Sequence, residues 1–231
     1  MNPFMVVVYG PVGVGKSSVV ERLAERRTLG RNDDARKLIV VREPTDAMIE
    51  CGALEDVYAN RPSSGYRLQM LVMAERMSTY WQASSLLSRC GVRKAVVVAD
   101  GHLALDQHIF VDEHMDCGRM SRKELGLYSS SVGFMLANCP VFVQRPDMYV
   151  YLHASPEACA HRAASRGRTE ESSLNLGFFT SMVDACDRVT KRLAMDNSTA
   201  LVVVHTDDET LDAVCESVTS AIACQLLATT K

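Results

Sequence analysis

The sequence predicts an α/β fold in which helices cover both faces of a five-stranded parallel sheet. Five short runs of apolar, largely β-branched residues indicate the strands, at 4–9, 38–41, 95–98, 148–152 and 201–204. Stretches with helical character separate these runs, and a glycine-rich loop follows the first. Because each run is apolar throughout instead of alternating, we expect strands that are buried on both faces, as parallel strands are.

The first strand leads into a phosphate-binding loop. Residues 10–17 read GPVGVGKS and match the G-x-x-x-x-G-K-[ST] pattern, with a strand-like run before them and a helix-like run after them. Glycines let backbone N–H groups converge on anionic oxygens at a helix N-terminus. We therefore predict a site for the triphosphate of ATP, formed by Gly10, Pro11, Val12, Gly13, Val14, Gly15, Lys16, Ser17 and Ser18.

Two side chains of this loop have chemical roles of their own. Lys16 is predicted to reach the β- and γ-phosphates, and the Ser17 hydroxyl is predicted to bind Mg²⁺. A second Mg²⁺ ligand is expected at Asp100, since the third strand ends there and ligands bind beyond the carboxyl ends of parallel strands. For His102, close by, a role as a polar loop or helix-cap residue is favoured.

The second strand ends at Glu43, beside the predicted phosphate site. A carboxylate in this position can take a proton from a hydroxyl that attacks the γ-phosphate. A solvated loop glutamate is about as consistent with the sequence.

Helices are expected at 66–88, 123–135, 156–165, 178–195 and 211–227, and polar loops at 30–37 and 60–65. In the third of these helices Ser155 is the expected N-cap and Pro156 the first helical residue. Arg162 and Arg166, four residues apart, share a helix face, and Arg168 follows. This arginine-rich segment, about 162–172, has the composition of a closing lid; the alternative is a solvated charged helix.

Length and composition restrict the class of protein. A chain of 231 residues is long enough for one large domain, 1–231. A net charge of −3 gives no electrostatic reason to expect nucleic acid or an anionic membrane as a partner, and no membrane-spanning apolar run is expected. The eight cysteines contain no C-x-x-C pair, which indicates thiols of a reducing compartment.

The predicted location is the cytoplasm, or the host cytoplasm for a viral protein. The first strand begins close to Met1, which leaves no room for a signal or transit peptide before it.

The motifs together resemble the deoxynucleoside kinase family, which includes deoxycytidine and deoxyguanosine kinases. Besides the phosphate loop, the resemblance rests on Glu43-Pro44, on Tyr58 eleven residues before Gln69, and on Arg76 seven residues after it. It continues with Asp106 before Ile109-Phe110, with Ser155-Pro156-Glu157, and with the pattern R-x-x-x-R-G-R-x-E-E from Arg162 to Glu171.

The resemblance implies a P-loop kinase with an arginine-rich lid, ATP as phosphate donor, Mg²⁺, and a homodimer. It implies that Glu43 is the general base on the nucleoside 5′-hydroxyl, and that Tyr58 and Glu171 hold the 3′-hydroxyl. The remaining implied roles are base pairing for Gln69, the polar side of the base pocket for Arg76 and Asp106, and contact with the transferred phosphoryl group for Arg162, Arg166 and Arg168.

One motif departs from the family pattern. Where the family has Glu/Asp-Arg-Ser, or Asp-Arg-His in herpesviral thymidine kinases, this chain has Asp100-Gly101-His102. The resemblance puts the missing arginine between the base, the 5′-hydroxyl and the phosphate. Arg42 or a lid arginine is the expected substitute.

The sequence therefore predicts a deoxynucleoside kinase of nucleotide salvage, and alternatives stay open. The Arg76–Asp106 combination resembles the deoxycytidine/deoxyguanosine branch, while Gln69 is also compatible with a viral thymidine kinase. A thymidylate-type nucleoside monophosphate kinase shares the loop and sheet but needs extra cations for the acceptor phosphate. A degenerate nucleotide-binding protein would explain the missing arginine.

Overall fold

The fold is built around a six-stranded sheet with the strand order β2-β3-β4-β1-β5-β6. The computed structural model describes residues 3–26, 28–29, 36–89, 94–196 and 198–228. The strands are β1 Phe4–Tyr9, β2 Thr28–Leu29, β3 Arg36–Val41, β4 Ala95–Asp100, β5 Met148–His153 and β6 Ala200–His205.

The prediction of an α/β fold is confirmed, and the strand count is corrected from five to six. The five predicted strands pair in parallel, whereas β2 pairs antiparallel with β3. A two-residue strand has no periodicity that a sequence pattern can detect, so it escaped prediction. Of the predicted polar loop 30–37, Arg36 and Lys37 belong to β3, and 30–35 lie outside the described residues.

Helices lie between the strands, and the five predicted ones are present with small shifts at their ends. They are α4 Ser64–Arg89, α7 Arg122–Asn138, α9 Pro156–Arg166, α10 Leu176–Asp196 and α11 Leu211–Ala228, to which the helix after the phosphate loop adds α1 Lys16–Glu25. Five shorter helices were not predicted: α2 Thr45–Glu50, α3 Ala53–Tyr58, α5 Leu103–Asp106, α6 Asp112–Asp116 and α8 Val141–Gln144.

Two further helical segments complete the chain path. A π-helical turn, Gln107–Val111, joins α5 to α6, and a 3₁₀ helix, Thr169–Ser173, follows α9. The predicted loop 60–65 is shorter than expected, because α4 already begins at Ser64.

The sheet separates two hydrophobic cores. Met5, Val7 and Tyr9 of β1 point into the core that is covered by α4, α7 and α10. The alternate residues Val6 and Val8 point into the other core, which α1, α9 and α11 cover. Burial on both faces explains why these strands are apolar throughout.

Helix α11 is more apolar than the sequence analysis anticipated. Its 18 residues have a mean hydropathy of 1.3, enough to cross a membrane by length and composition alone. In the fold it contacts α1 and β6 and buries a face that includes Val214, Val218 and Ile222. This face packs within the second core, and 22% of the helix is buried there.

The carboxyl ends of β1, β3, β4 and β5 face the same edge of the sheet and carry the connections that form the site. The connection from β5 to α9 contains Ser155, the predicted N-cap of α9. The Ser155 Oγ accepts a hydrogen bond from the N–H of Ala158 at 3.3 Å and donates one to Asp207 Oδ1 at 2.5 Å. These contacts orient the helix that carries the lid arginines.

We expect Ser155→Ala to lower the free energy of unfolding by about 1 kcal/mol, the usual cost of losing an N-cap. The comparison is urea denaturation of this variant and of Ser165→Ala, an exposed position in the last turn of the same helix. The control is expected to stay within about 0.5 kcal/mol of wild type. Equal effects at the two positions would contradict a stabilising cap.

Candidate active site

A cavity with an empty volume of about 970 Å³, its open mouth included, lies at the carboxyl edge of the sheet. Most of the site residues proposed from the sequence line it: Val12, Gly13, Gly15, Lys16, Ser17, Ser18, Glu43, Tyr58, Gln69, Arg76, Asp106, Arg166, Arg168 and Glu171. Residues that are far apart in sequence, such as Lys16 and Glu171, thus face one space. Gly10, Pro11, Val14, Asp100 and Arg162 are not among the lining residues.

The phosphate loop takes backbone conformations that favour glycine. Gly13 has a φ of 84°, and a Cβ there would overlap the carbonyl of Cys159 on α9. Gly15, the N-cap of α1, has a φ of 103°. The Lys16 Nζ donates to the carbonyl oxygens of Gly10 at 3.0 Å and Pro11 at 3.1 Å. The loop therefore presents the N-terminus of α1 and an ammonium group to the cavity, which fits an oligophosphate.

Asp100 lies behind the loop at the end of β4 and is 1% exposed. The Ser17 Oγ donates to its Oδ2 at 2.8 Å, while its Oδ1 has no hydrogen-bond partner among the described residues. Burial, together with the nearby Glu43, raises the pKa of Asp100 to about 6. A buried carboxylate oxygen without a partner, next to a hydroxyl, is a donor set that fits a hard cation such as Mg²⁺.

A buried arginine on α4 joins three carboxyl-bearing residues. The Arg76 Nε lies 3.0 Å from Asp106 Oδ2, and its Nη2 lies 3.5 Å from Glu43 Oε1. Its Nη1 donates to the backbone carbonyl of Asp100. Burial raises the pKa of Asp106 to about 6, and Arg76 opposes that rise. The expected Arg76–Asp106 pair is present, and Glu43 is drawn into the same cluster.

Arg42, expected as one substitute for the missing arginine, is exposed and is not among the residues that line the cavity. It follows Val41, the last residue of β3, and the next position, Glu43, is the one that lines the cavity.

The lid segment brings two of its three arginines to one glutamate. The Arg166 Nη2 donates to both carboxylate oxygens of Glu171 at 2.7 Å, and the Arg168 Nη1 donates to Oε1 at 3.2 Å. Burial, reinforced by the Glu171 charge, raises the pKa of Tyr58. Tyr58 and Glu171, expected to act together, thus lie close to one another, and Phe178 packs edge-on against Tyr58.

Arg162 is held away from the cavity. Its Nη1 donates to Thr206 Oγ1 at 2.9 Å and to the Val14 carbonyl at 3.4 Å, and its Nη2 donates to the Asp207 carbonyl at 3.3 Å. These bonds tie the phosphate loop to the connection between β6 and α11. Helical spacing predicts that Arg162 shares a face with Arg166. In the structure, however, its guanidinium is hydrogen-bonded to Thr206 and Asp207, which follow β6.

The deep end of the cavity holds Gln69, which is 3% exposed. Its Nε2 lies 3.4 Å from His114 Nε2, and the Tyr128 hydroxyl donates to its Oε1 at 3.4 Å. Burial lowers the pKa of His114, which favours the neutral ring, and a neutral ring can accept a hydrogen bond from the amide. The apolar walls here come from Leu68 and Val72.

His114 and Tyr128 were missed in the sequence. His114 lies on a five-residue helix too short to show periodicity, and Tyr128 is one of many residues on α7. His102, in contrast, is a helix cap as expected: its Nδ1 accepts from the N–H of Ala104 at 3.2 Å and its Nε2 donates to the Val143 carbonyl at 2.9 Å.

Known proteins resemble the chain along most of its length. The family model of the deoxynucleoside kinases matches residues 6–225. The chain is 28% identical over 178 residues to a deoxyadenosine/deoxycytidine kinase of Bacillus subtilis. The aligned region covers 77% of this chain and 72% of that protein. It is 22% identical over 179 residues to a probable deoxycytidine kinase of fowlpox virus, covering 78% and 68% of the two chains.

A solved structure shares the fold. It is a deoxyadenosine kinase from M. mycoides with the products dCMP and a flexible dCDP bound, and it superimposes with a TM-score of 0.72 at 18% identity. The match covers 96% of this chain and 100% of that one. The family match over nearly the whole chain, and a cavity that joins a phosphate loop to a buried polar pocket, show that this protein belongs to the deoxynucleoside kinase family.

Proposed function

We propose that this protein transfers the γ-phosphoryl group of ATP to the 5′-hydroxyl of a deoxynucleoside in the presence of Mg²⁺. The observation that carries the proposal is that one cavity contains both the phosphate loop and the buried polar pocket, with Glu43 among its lining residues. The reaction needs such a shared space, because phosphoryl transfer is catalysed mainly by positioning and charge neutralisation.

In the proposed mechanism the 5′-hydroxyl attacks while its proton passes to the carboxylate of Glu43. Lys16, Arg166 and Arg168 counter the charge that develops on the transferred group. Ser17 and Asp100 would hold Mg²⁺, which when bound neutralises phosphate charge. Arg162 is proposed to stabilise the phosphate loop through its bond to Val14 instead of contacting the phosphates.

The sugar and the base are assigned to different lining residues. Tyr58 and Glu171 are proposed to hold the 3′-hydroxyl, since a phenol and a carboxylate at one point of the wall can share it. Gln69, Arg76 and Asp106 are proposed to bind the base. The related proteins are named for deoxyadenosine and deoxycytidine, so we propose these nucleosides as preferred substrates, with thymidine as the alternative.

The charge of the cavity favours a nucleoside over a nucleoside monophosphate as acceptor. Among the described residues that line it, Arg166 and Arg168 pair with Glu171, and Arg76 pairs with Asp106. A monophosphate acceptor would need cations in addition to Lys16, Arg166 and Arg168, which the proposed mechanism assigns to the transferred phosphoryl group. This balance argues against a thymidylate-type kinase.

We further propose that the chain is one cytoplasmic kinase domain, 1–231, whose segment 162–172 closes as a lid. The seven cysteines in the described ranges are free thiols, which is consistent with a reducing compartment.

We expect the purified protein to phosphorylate deoxycytidine and deoxyadenosine faster than thymidine, and to leave the four deoxynucleoside monophosphates unchanged. The measurement uses labelled ATP with each acceptor, with and without EDTA, which should abolish turnover.

Lys16→Ala is expected to lower kcat by roughly 10²–10³ because a preorganised cation at the phosphates is lost. The control is Lys191→Ala, on the exposed side of α10. Binding of ATP without phosphorylation of any acceptor would favour the alternative that this chain is a nucleotide-binding protein without catalytic activity.

We expect Glu43→Gln to lower kcat by roughly 10²–10⁴, the usual contribution of a general base, with little change in nucleoside binding. The amide keeps the size of the side chain but cannot accept the proton. Steady-state kinetics of this variant are compared with those of Glu50→Gln, an exposed position at the end of α2. A change confined to KM would make Glu43 a binding residue.

We also propose a homodimer that forms through α4 and α7. These two helices pack against each other and expose large apolar side chains, Trp81 and Leu86 on α4 and Leu127 and Phe134 on α7. An apolar patch of this kind is typical of an interaction surface. Light scattering is expected to give twice the mass of the chain, and Phe134→Glu to give a monomer. Met195→Glu, exposed on α10, should leave the dimer intact; a monomeric wild type would contradict the proposal.

A further inference from the structure

We propose that Arg76 supplies, from α4, the cation that the Asp100-Gly101-His102 motif lacks, and that it positions the carboxylate of Glu43 for every nucleoside, whatever its base. The inference rests on the proposed function. It gives Arg76 a second role besides the base pocket, as a positioning residue for the general base.

The space beside Gly101 is the first argument. Gly101 has a φ of 79°, in the left-handed region that favours glycine, and its N–H donates to the Val8 carbonyl at 2.8 Å. A Cβ at this position would overlap Nη2 of Arg76 and stand 3.1 Å from its Cζ. The guanidinium of Arg76 therefore occupies the volume into which a side chain at position 101 would begin.

The contacts of the guanidinium are the second argument. Its three nitrogens reach three different elements: Nε lies 3.0 Å from Asp106 of α5, Nη1 donates to the carbonyl of Asp100 of β4, and Nη2 lies 3.5 Å from Glu43 after β3. A planar guanidinium with donors on all three nitrogens can hold such partners at once, whereas an ammonium group cannot hold them in one plane.

The charges around Glu43 are the third argument. The Lys16 ammonium bonds to the carbonyls of Gly10 and Pro11, and Arg166 and Arg168 bond to Glu171. Of the lysines and arginines that line the cavity within the described residues, Arg76 is thus the one in contact with Glu43. Because Arg76 is 1% exposed and the Glu43 side chain 23%, water screens this contact less than it would at the surface.

The two roles of Arg76 make different predictions. A residue that only reads the base changes the ratio of activities among nucleosides. A residue that positions Glu43 changes kcat for all of them by a similar factor, because the 5′-hydroxyl is the same in each. A misplacement of about 1 Å in the reacting groups can cost about 10²-fold in rate.

The main test uses Gly101→Ala, which leaves Arg76 and the carboxylates in the chain but displaces the guanidinium. Its control is Gly118→Ala, because Gly118 has a φ of 70° and a Cβ there would meet nothing within 4 Å. Both substitutions introduce backbone strain, and Gly101→Ala in addition displaces a buried guanidinium, so thermal unfolding serves here to verify that each variant is folded at the assay temperature. We expect kcat of Gly101→Ala to fall about 10–10²-fold on each nucleoside that wild type uses, and kcat of Gly118→Ala to stay unchanged.

Two further variants separate base reading from positioning. Arg76→Lys keeps the charge but not the three-way contact, and it should lower kcat by a similar factor on every nucleoside. Asp106→Asn retains a polar partner for Arg76, and it should change the ratio of kcat/KM among the nucleosides. A folded Gly101→Ala with wild-type kcat, or an Arg76→Lys whose losses depend only on the base, would overturn the inference. An inactive wild type would instead overturn the proposed function, and the inference with it.

Discussion

The guanidinium of Arg76 is the interaction on which the rest of the site depends. It is buried at the point where α4, α5, β4 and the end of β3 meet, and it contacts Asp106, Asp100 and Glu43. Removing one partner of a buried ion pair typically costs about 3–5 kcal/mol, since the remaining charge has no water to solvate it. The stability of this corner and the position of the candidate base are therefore coupled.

The parallel sheet places the other groups around that corner. Its strands end at one edge, so the phosphate loop after β1, Glu43 after β3 and Asp100 at the end of β4 lie near one another. The helices beyond the sheet add Tyr58, Gln69 and the lid arginines. The elements that carry these groups are anchored in the two cores and, for Tyr58, in a third cluster of Met48, Leu54, Val57, Leu68 and Val72, which fixes the position of the polar groups around the cavity.

The resemblance to the family predicts an arginine where this chain has Gly101, while the acid, Asp100, is present at the end of β4. The Arg76 guanidinium fills the space that a side chain at position 101 would need. The glycine at position 101 is therefore linked to the position of Arg76 on α4. Gln69 is likewise held from two sides, by His114 and Tyr128, and its amide can present a defined donor and acceptor to a base. In the proposed function Gln69 binds the base, and its orientation then depends on His114, which also lines the cavity, and on Tyr128.

The sequence by itself determined the fold class, five of the six strands, the glycine loop and a set of candidate residues, most of which line one cavity, because glycine patterns, apolar runs and strand ends are local signals. Tertiary structure decided the rest. It added β2, whose two residues carry no pattern, and it brought His114 and Tyr128 to Gln69. It also turned Arg162 toward Thr206, and it put Arg76 instead of Arg42 beside Glu43. Helical spacing gives the direction of a side chain from its own element, but its partner is set by whichever element packs against it.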